Sequence, residues 1–109
     1  MGMPTQIRAV AFQEGDIWVV QGVDFDVVAQ AKELMDAPIA FLRTVVSTFA
    51  VNQKLGRDAD CCMRAAPVRF LEMFESADME LRPLGPLPTD PQIPRPDIAM
   101  RGYRRDHAV

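Results

Sequence analysis

Histidine is almost missing from this 109-residue chain: the only one, His107, stands two residues from the C-terminus. A Ser-His-Asp or Cys-His device would have to draw its base from that chain end, so no catalytic residue is assigned and the chain is expected not to be an enzyme. Cysteine is equally scarce. Cys61 and Cys62 are adjacent, a spacing that suits neither an ordinary disulfide nor a tetrahedral zinc site, so neither metal nor cofactor is expected. The first residues carry no apolar signal-peptide core, and no window approaches the roughly 18 apolar residues of a membrane helix. A cytoplasmic protein without a membrane partner is the resulting expectation. Gly2 suits a myristoylation pattern, but Gln6 stands where that pattern needs Ser or Thr.

Positive charge is also in short supply, with 12 Lys and Arg against 15 Asp and Glu, a net charge of -3 and a pI near 5.0. That balance is the wrong sign for a surface that tracks phosphates, and direct nucleic-acid binding is not expected. The imbalance is uneven. Residues 1–81 hold seven basic and twelve acidic side chains, whereas residues 82–109 hold five and three. Six of the nine prolines fall in the same late segment, between Pro83 and Pro96, where each removes a backbone donor and holds its predecessor extended. The expected organisation is therefore a domain over 1–82 and an extended, Pro-rich tail over 83–109. A body this small buries little surface, and self-association into a homo-oligomer is expected to supplement it.

What is present reads as α+β. Ile7 to Gln13 and Ile17 to Val23 are β-branched and aromatic runs joined by Glu14-Gly15-Asp16, a hairpin with a glycine available for positive φ. Asp24-Phe25-Asp26 breaks the second run, and Val27 to Lys32 resumes as a short third strand, giving a three-stranded antiparallel meander. Asp36 is placed to cap a long helix with Pro38 in its first turn; it should run to about Leu55, before Gly56. Its apolar face, read from spacing, is Ile39, Leu42, Val45, Val46 and Phe49, and it should pack on the sheet. Pro67 opens a short second helix with Phe70, Leu71 and Phe74 as its stripe, and Met79 to Arg82 reads as a brief closing strand at the sheet edge.

Those elements, with the run Phe12-Gln13-Glu14-Gly15-Asp16-Ile17-Trp18-Val19-Val20-Gln21 and the later Ala29-Gln30-Ala31-Lys32, resemble the HicB-like family of small bacterial proteins over about residues 7–55. The resemblance implies a degenerate, partial RNase H-like fold without nuclease activity. It further implies the antitoxin half of a pair, which covers a small basic RNA-cleaving toxin, HicA. Full antitoxins of that kind append a DNA-binding module; here the appended segment is Pro-rich.

The expected function is thus a non-enzymatic protein-binding module, antitoxin-like or an orphan accessory protein, that masks a partner sterically. Asp24, Asp26, Asp58 and Asp60 are the acidic residues assigned to a basic partner. In the tail, Ile98, Met100, Arg101, Tyr103, Arg104 and Arg105 mix apolar, aromatic and cationic groups and are assigned to a partner-binding arm. Trp18, in mid-strand, is assigned to core or interface packing. The alternative is a structural or accessory subunit of a larger bacterial or phage assembly whose tail wraps a neighbour. A metal-dependent nuclease would need three or four convergent carboxylates, of which Asp24 and Asp26 supply two.

Overall fold

The computed structural model describes residues 6–58, 64–82 and 97–103. Two long strands open the fold, β1 (Gln6–Glu14) and β2 (Ile17–Gly22), followed by the shorter β3 (Val28–Ala31). A 3-10 turn (Leu34–Asp36) leads into α1 (Ala37–Lys54), and α2 (Val68–Ser76), β4 (Met79–Leu81) and β5 (Asp97–Gly102) complete it. The class is α+β, with one five-stranded, mostly antiparallel sheet in the order β3-β2-β1-β5-β4. A three-stranded sheet with a separate tail is therefore corrected in one respect: residues 97–102 are an inner strand. β5 lies parallel to β1, Ile7 opposite Ile98 and Ala11 opposite Gly102, and β4 closes the edge beyond it. The alternation Ile98, Met100, Gly102 on one side and Ala99, Arg101, Tyr103 on the other is the period of a strand buried on both faces.

Register explains the hairpin. Glu14 pairs with Ile17, so Gly15 and Asp16 alone make the turn, and Gly15 takes φ +59°, which only a primed two-residue turn asks of its first residue. Alternation along β1 then sends Ile7, Ala9 and Ala11 to the α1 face and Arg8, Val10 and Phe12 to the α2 face. Both sides are apolar, which demands two covering layers. The first is α1, whose Ala37, Phe41, Val45 and Phe49 pack with Ile7, Val20, Ala29 and Met100. The second is α2, whose Phe70 and Phe74 pack with Val10 and Val23.

The face of α1 is rotated from the one its spacing suggested. Phe41 is fully buried, whereas Ile39 and Val46 are half-buried. Asp36 does not cap the helix through its side chain: it sits in helical geometry (φ -88°, ψ -9°), and a carboxylate reaches the N2 or N3 amides only from an extended residue. The entry is made instead by the 3-10 turn, with Asp36 N–H donating to the Glu33 carbonyl at 3.1 Å. Contrary to the expectation that no window is apolar enough for a membrane helix, Leu34–Lys54 has the length and apolar composition of a bilayer-crossing helix; its inner face lies on the sheet. Gly56 ends it at φ +74°.

Candidate functional site

The chain leaves β2 through a bend that is held by polar side chains. Val23 N–H still donates to the Arg8 carbonyl (2.8 Å), but the return bond of that ladder pair is missing because Val23 gives its own carbonyl to Ala66 N–H (3.1 Å). Asp24 takes over: its carboxylate accepts the Arg8 amide at 2.8 Å and the Arg8 guanidinium at 2.6 Å. The guanidinium hydrogen bonds hold the Asp24 carboxyl below the usual carboxylate range, against the opposing effect of partial burial. The same pairing raises the Arg8 pKa. Two residues further, Asp26 N–H donates to the Arg64 carbonyl at 2.6 Å, and the Asp26 carboxylate accepts the buried Gln21 amide at 2.8 Å. Gly22 makes the bend possible, since a Cβ there would stand 2.2 Å from the Phe25 carbonyl oxygen.

Asp24 and Asp26 are thus committed to shaping the chain. A carboxylate with a lowered pKa and a guanidinium across it is a poor proton acceptor, and among the described residues no three His, Cys, Asp or Glu side chains converge as a metal site. Asp58 is exposed just past α1, and Asp60 lies outside the described residues. Of the expected arm, Met100 lies in the α1-side core at 2% exposed, and Ile98 is half-buried against it. Arg101 lies over the Phe74 ring at 4.4 Å and donates to the Phe74 carbonyl at 3.1 Å, closing the end of α2 where a cation is favoured. Arg104 and Arg105 lie outside the described residues, as do Cys61, Cys62 and His107. Trp18 is half-buried against the α1-side core.

Among the described residues, two clefts on the α2 side stand out. The larger, about 820 Å³, lies at the β1–β5–β4 end and is lined by Arg8, Arg82 and Arg101 with Glu80, Phe74 and Leu81 among others. Its cations are engaged: Arg8 with Asp24, Arg101 with Phe74, and Arg82 with Glu80 at 2.6 Å. The smaller, about 270 Å³, lies where the hairpin end of β1 meets α2, between Phe12, Phe70, Met73 and Tyr103, with Gln13, Glu14 and Arg69 at its rim. Phe12 and Phe70 stack at 6.1 Å between centroids, and Arg69 covers the Phe70 ring at 4.7 Å. Tyr103 is set beside them because its N–H extends the β1–β5 ladder, donating to the Ala11 carbonyl at 2.7 Å.

Tyr103 was singled out in the sequence as an aromatic anchor; Phe12, Met73 and Arg69 were not. The signal for Phe12 was the unbroken apolar run Ala9 to Phe12, which a strand facing solvent on one side does not carry; Arg69 and Met73, on α2, carry no such signal. Comparisons with protein-family models, curated proteins and solved structures find no match to this chain.

Proposed function

We propose that the chain is a non-enzymatic protein-binding module of the HicB-like, antitoxin-like kind, which masks a basic partner protein sterically and seats one of its apolar side chains in the aromatic cleft. The observation that carries this reading is the cleft itself. At about 270 Å³ it falls below the usual range for small-molecule sites and suits a single large side chain, and its walls are the aromatic and arginine groups that dominate interface energetics. Glu14 lines it, and Asp16, Glu72 and Glu75 add exposed carboxylates on the hairpin tip and on α2, a charge that speeds encounter with a basic surface. Among the described residues, Arg8, Asp24, Gln21, Asp26 and Arg101 are engaged in holding the fold, which favours recognition over turnover.

The test begins with tagged full-length protein purified from its native host, the co-purifying chain identified by mass and then reconstituted from pure components. The expected partner is one small basic protein whose growth inhibition, when expressed alone, is relieved by this chain. Tyr103→Ala should weaken the complex about tenfold or more, equivalent to about 1.4 kcal/mol, while the fold persists. Several stoichiometric subunits in place of one partner would move the chain to the assembly reading. Divalent-metal-dependent cleavage lost in Asp24→Asn would refute the non-enzymatic one.

A further inference from the structure

Charge is scarce along α1, where only Arg43 and Lys54 of 18 residues carry it. A helix apolar on every side is ordinarily buried on every side. Among the described residues the sheet takes one side of α1, through Phe41, Val45 and Phe49, and the opposite side stays open. We propose that this outer side packs antiparallel against α1 of a second copy, about a twofold axis level with Val45. The proposal does not depend on the partner reading.

Alternating steps of four and three residues place Asp36, Ala40, Arg43, Ser47, Ala50 and Lys54 in one line along the helix, opposite its buried side. Asp36, Arg43, Ser47 and Lys54 are exposed, and Ala40 and Ala50 are half-buried. Beside the line, Ile39 and Val46 are half-buried on one flank and Val51 is 56% exposed on the other, so a covering helix removes apolar surface on both flanks. The charged positions are free. Asp36 has helical geometry and no side-chain capping bond, and among the described residues Asp36, Arg43 and Lys54 take part in no ion pair.

Charge decides the occupant and its direction. A parallel pair sets Asp36 against Asp36, Arg43 against Arg43 and Lys54 against Lys54, like against like at each charged position. Antiparallel helices with this spacing can shift only by whole heptads. One such shift sets Arg43 against Lys54 of the second copy, and the opposite shift sets Asp36 against Ser47 and leaves Lys54 overhanging. The register level with Val45 keeps all six positions in contact. Asp36 then faces Lys54 of the second copy, twice, Ala40 faces Ala50, and Arg43 faces Ser47, whose small side chain lets the guanidinium reach water. This is charge complementarity of the helix with itself, as an isologous interface requires, and the antiparallel direction also opposes the two helix dipoles. Because α1 and α2 cover opposite faces of the sheet, both aromatic clefts stay on the outside of the dimer.

Sedimentation equilibrium of the full chain tests the pairing, with circular dichroism to verify folding of each variant. The wild type should sediment at twice the 12.2 kDa chain mass. Asp36→Lys sets two like-charged pairs across the join and should weaken the dimer about tenfold. Lys54→Asp should do the same from the other end, and both changes in one chain should restore it. Ala50→Phe, facing Ala40, wedges the helices apart and should weaken the dimer about thirtyfold. Should one charge variant fail to fold, the other and the exchanged pair decide. A wild type that remains monomeric at millimolar concentration overturns the proposal and leaves this face to a different protein. A dimer indifferent to Asp36→Lys and Lys54→Asp overturns it too, and so does one that the exchange fails to restore.

Discussion

Asp24→Ala is the perturbation that the bend makes most informative. The substitution removes the acceptor of the Arg8 amide, a bond of 2.8 Å at a part-buried position, and the counter-ion of a guanidinium whose side chain is 41% exposed. An amide left without a partner costs about 1–3 kcal/mol, while a half-exposed ion pair adds at most about 1 kcal/mol because water and salt screen it. The expected loss is about 2 kcal/mol, or about 8–16 °C in Tm for a body of this size. Asp24→Asn retains a carbonyl that can accept the amide and should lose only about 1 kcal/mol. Acid gives an independent check of sign. The Asp24 carboxyl is lowered in the folded chain by the Arg8 hydrogen bonds, so the stability it contributes is complete above its unfolded pKa and is lost as pH falls toward the lower, folded value. Urea unfolding followed by circular dichroism should therefore show the gap between wild type and Asp24→Asn at pH 7 and a smaller gap below about pH 4. Equal losses for Ala and Asn, or a gap that does not shrink in acid, would refute the assignment of Asp24 as a backbone acceptor.

Gly22→Ala places a methyl group 2.2 Å from the Phe25 carbonyl oxygen, a backbone atom that moves only if the bend opens, and should cost about 3 kcal/mol by the same unfolding assay. Gly22→Ala should also loosen Gln21 and Asp26, read as faster amide exchange at Gly22 and Asp26, whose N–H groups bond the Val27 and Arg64 carbonyls. Met100→Ala should cost about 3 kcal/mol, since the side chain is 2% exposed in the α1-side core, whereas in a solvated tail it would cost nothing measurable.

The local elements were legible because each has a local cause. Glu14-Gly15-Asp16 between β-branched runs specifies a two-residue turn, and Pro38 and Gly56 bracket α1. Non-local pairing was not legible. Asp97 to Gly102 alternates as a strand, but its neighbours are β1, over ninety positions away, and β4, and nothing in its own six residues names either. Proximity to the prolines invited a reading as tail. The site divided along the same line: Tyr103 stood out as an aromatic among arginines, while Phe12 and Met73 acquire their place only when β5 and α2 are brought to β1. Asp24 and Asp26 were noticed as charges, and their role emerged from backbone groups that no residue pattern records.

The position of β5 has a consequence for how the chain folds. β1, β2, β3 and α1 are contiguous and form by local contacts, but β1 then presents its outer edge, Gln6 to Ala11, until β5 arrives from the far end of the chain. Closing a loop of that length is slow in comparison with the hairpin, so the intermediate carries an unpaired, apolar central strand. β4 adds nothing to protect it, because β4 pairs with β5 and not with β1. A chain ending at Leu84, which the division into body and tail would leave folded, should therefore lose cooperative unfolding and aggregate through the exposed edge of β1. Light scattering during refolding and the sharpness of the urea transition measure this directly. A truncated chain that stays soluble and unfolds as sharply as the full one would mean that β5 is an accessory to the sheet and not its keystone. Adding the peptide Asp97–Val109 in trans should then leave the truncated chain unchanged, whereas an incomplete sheet should bind it and regain its transition.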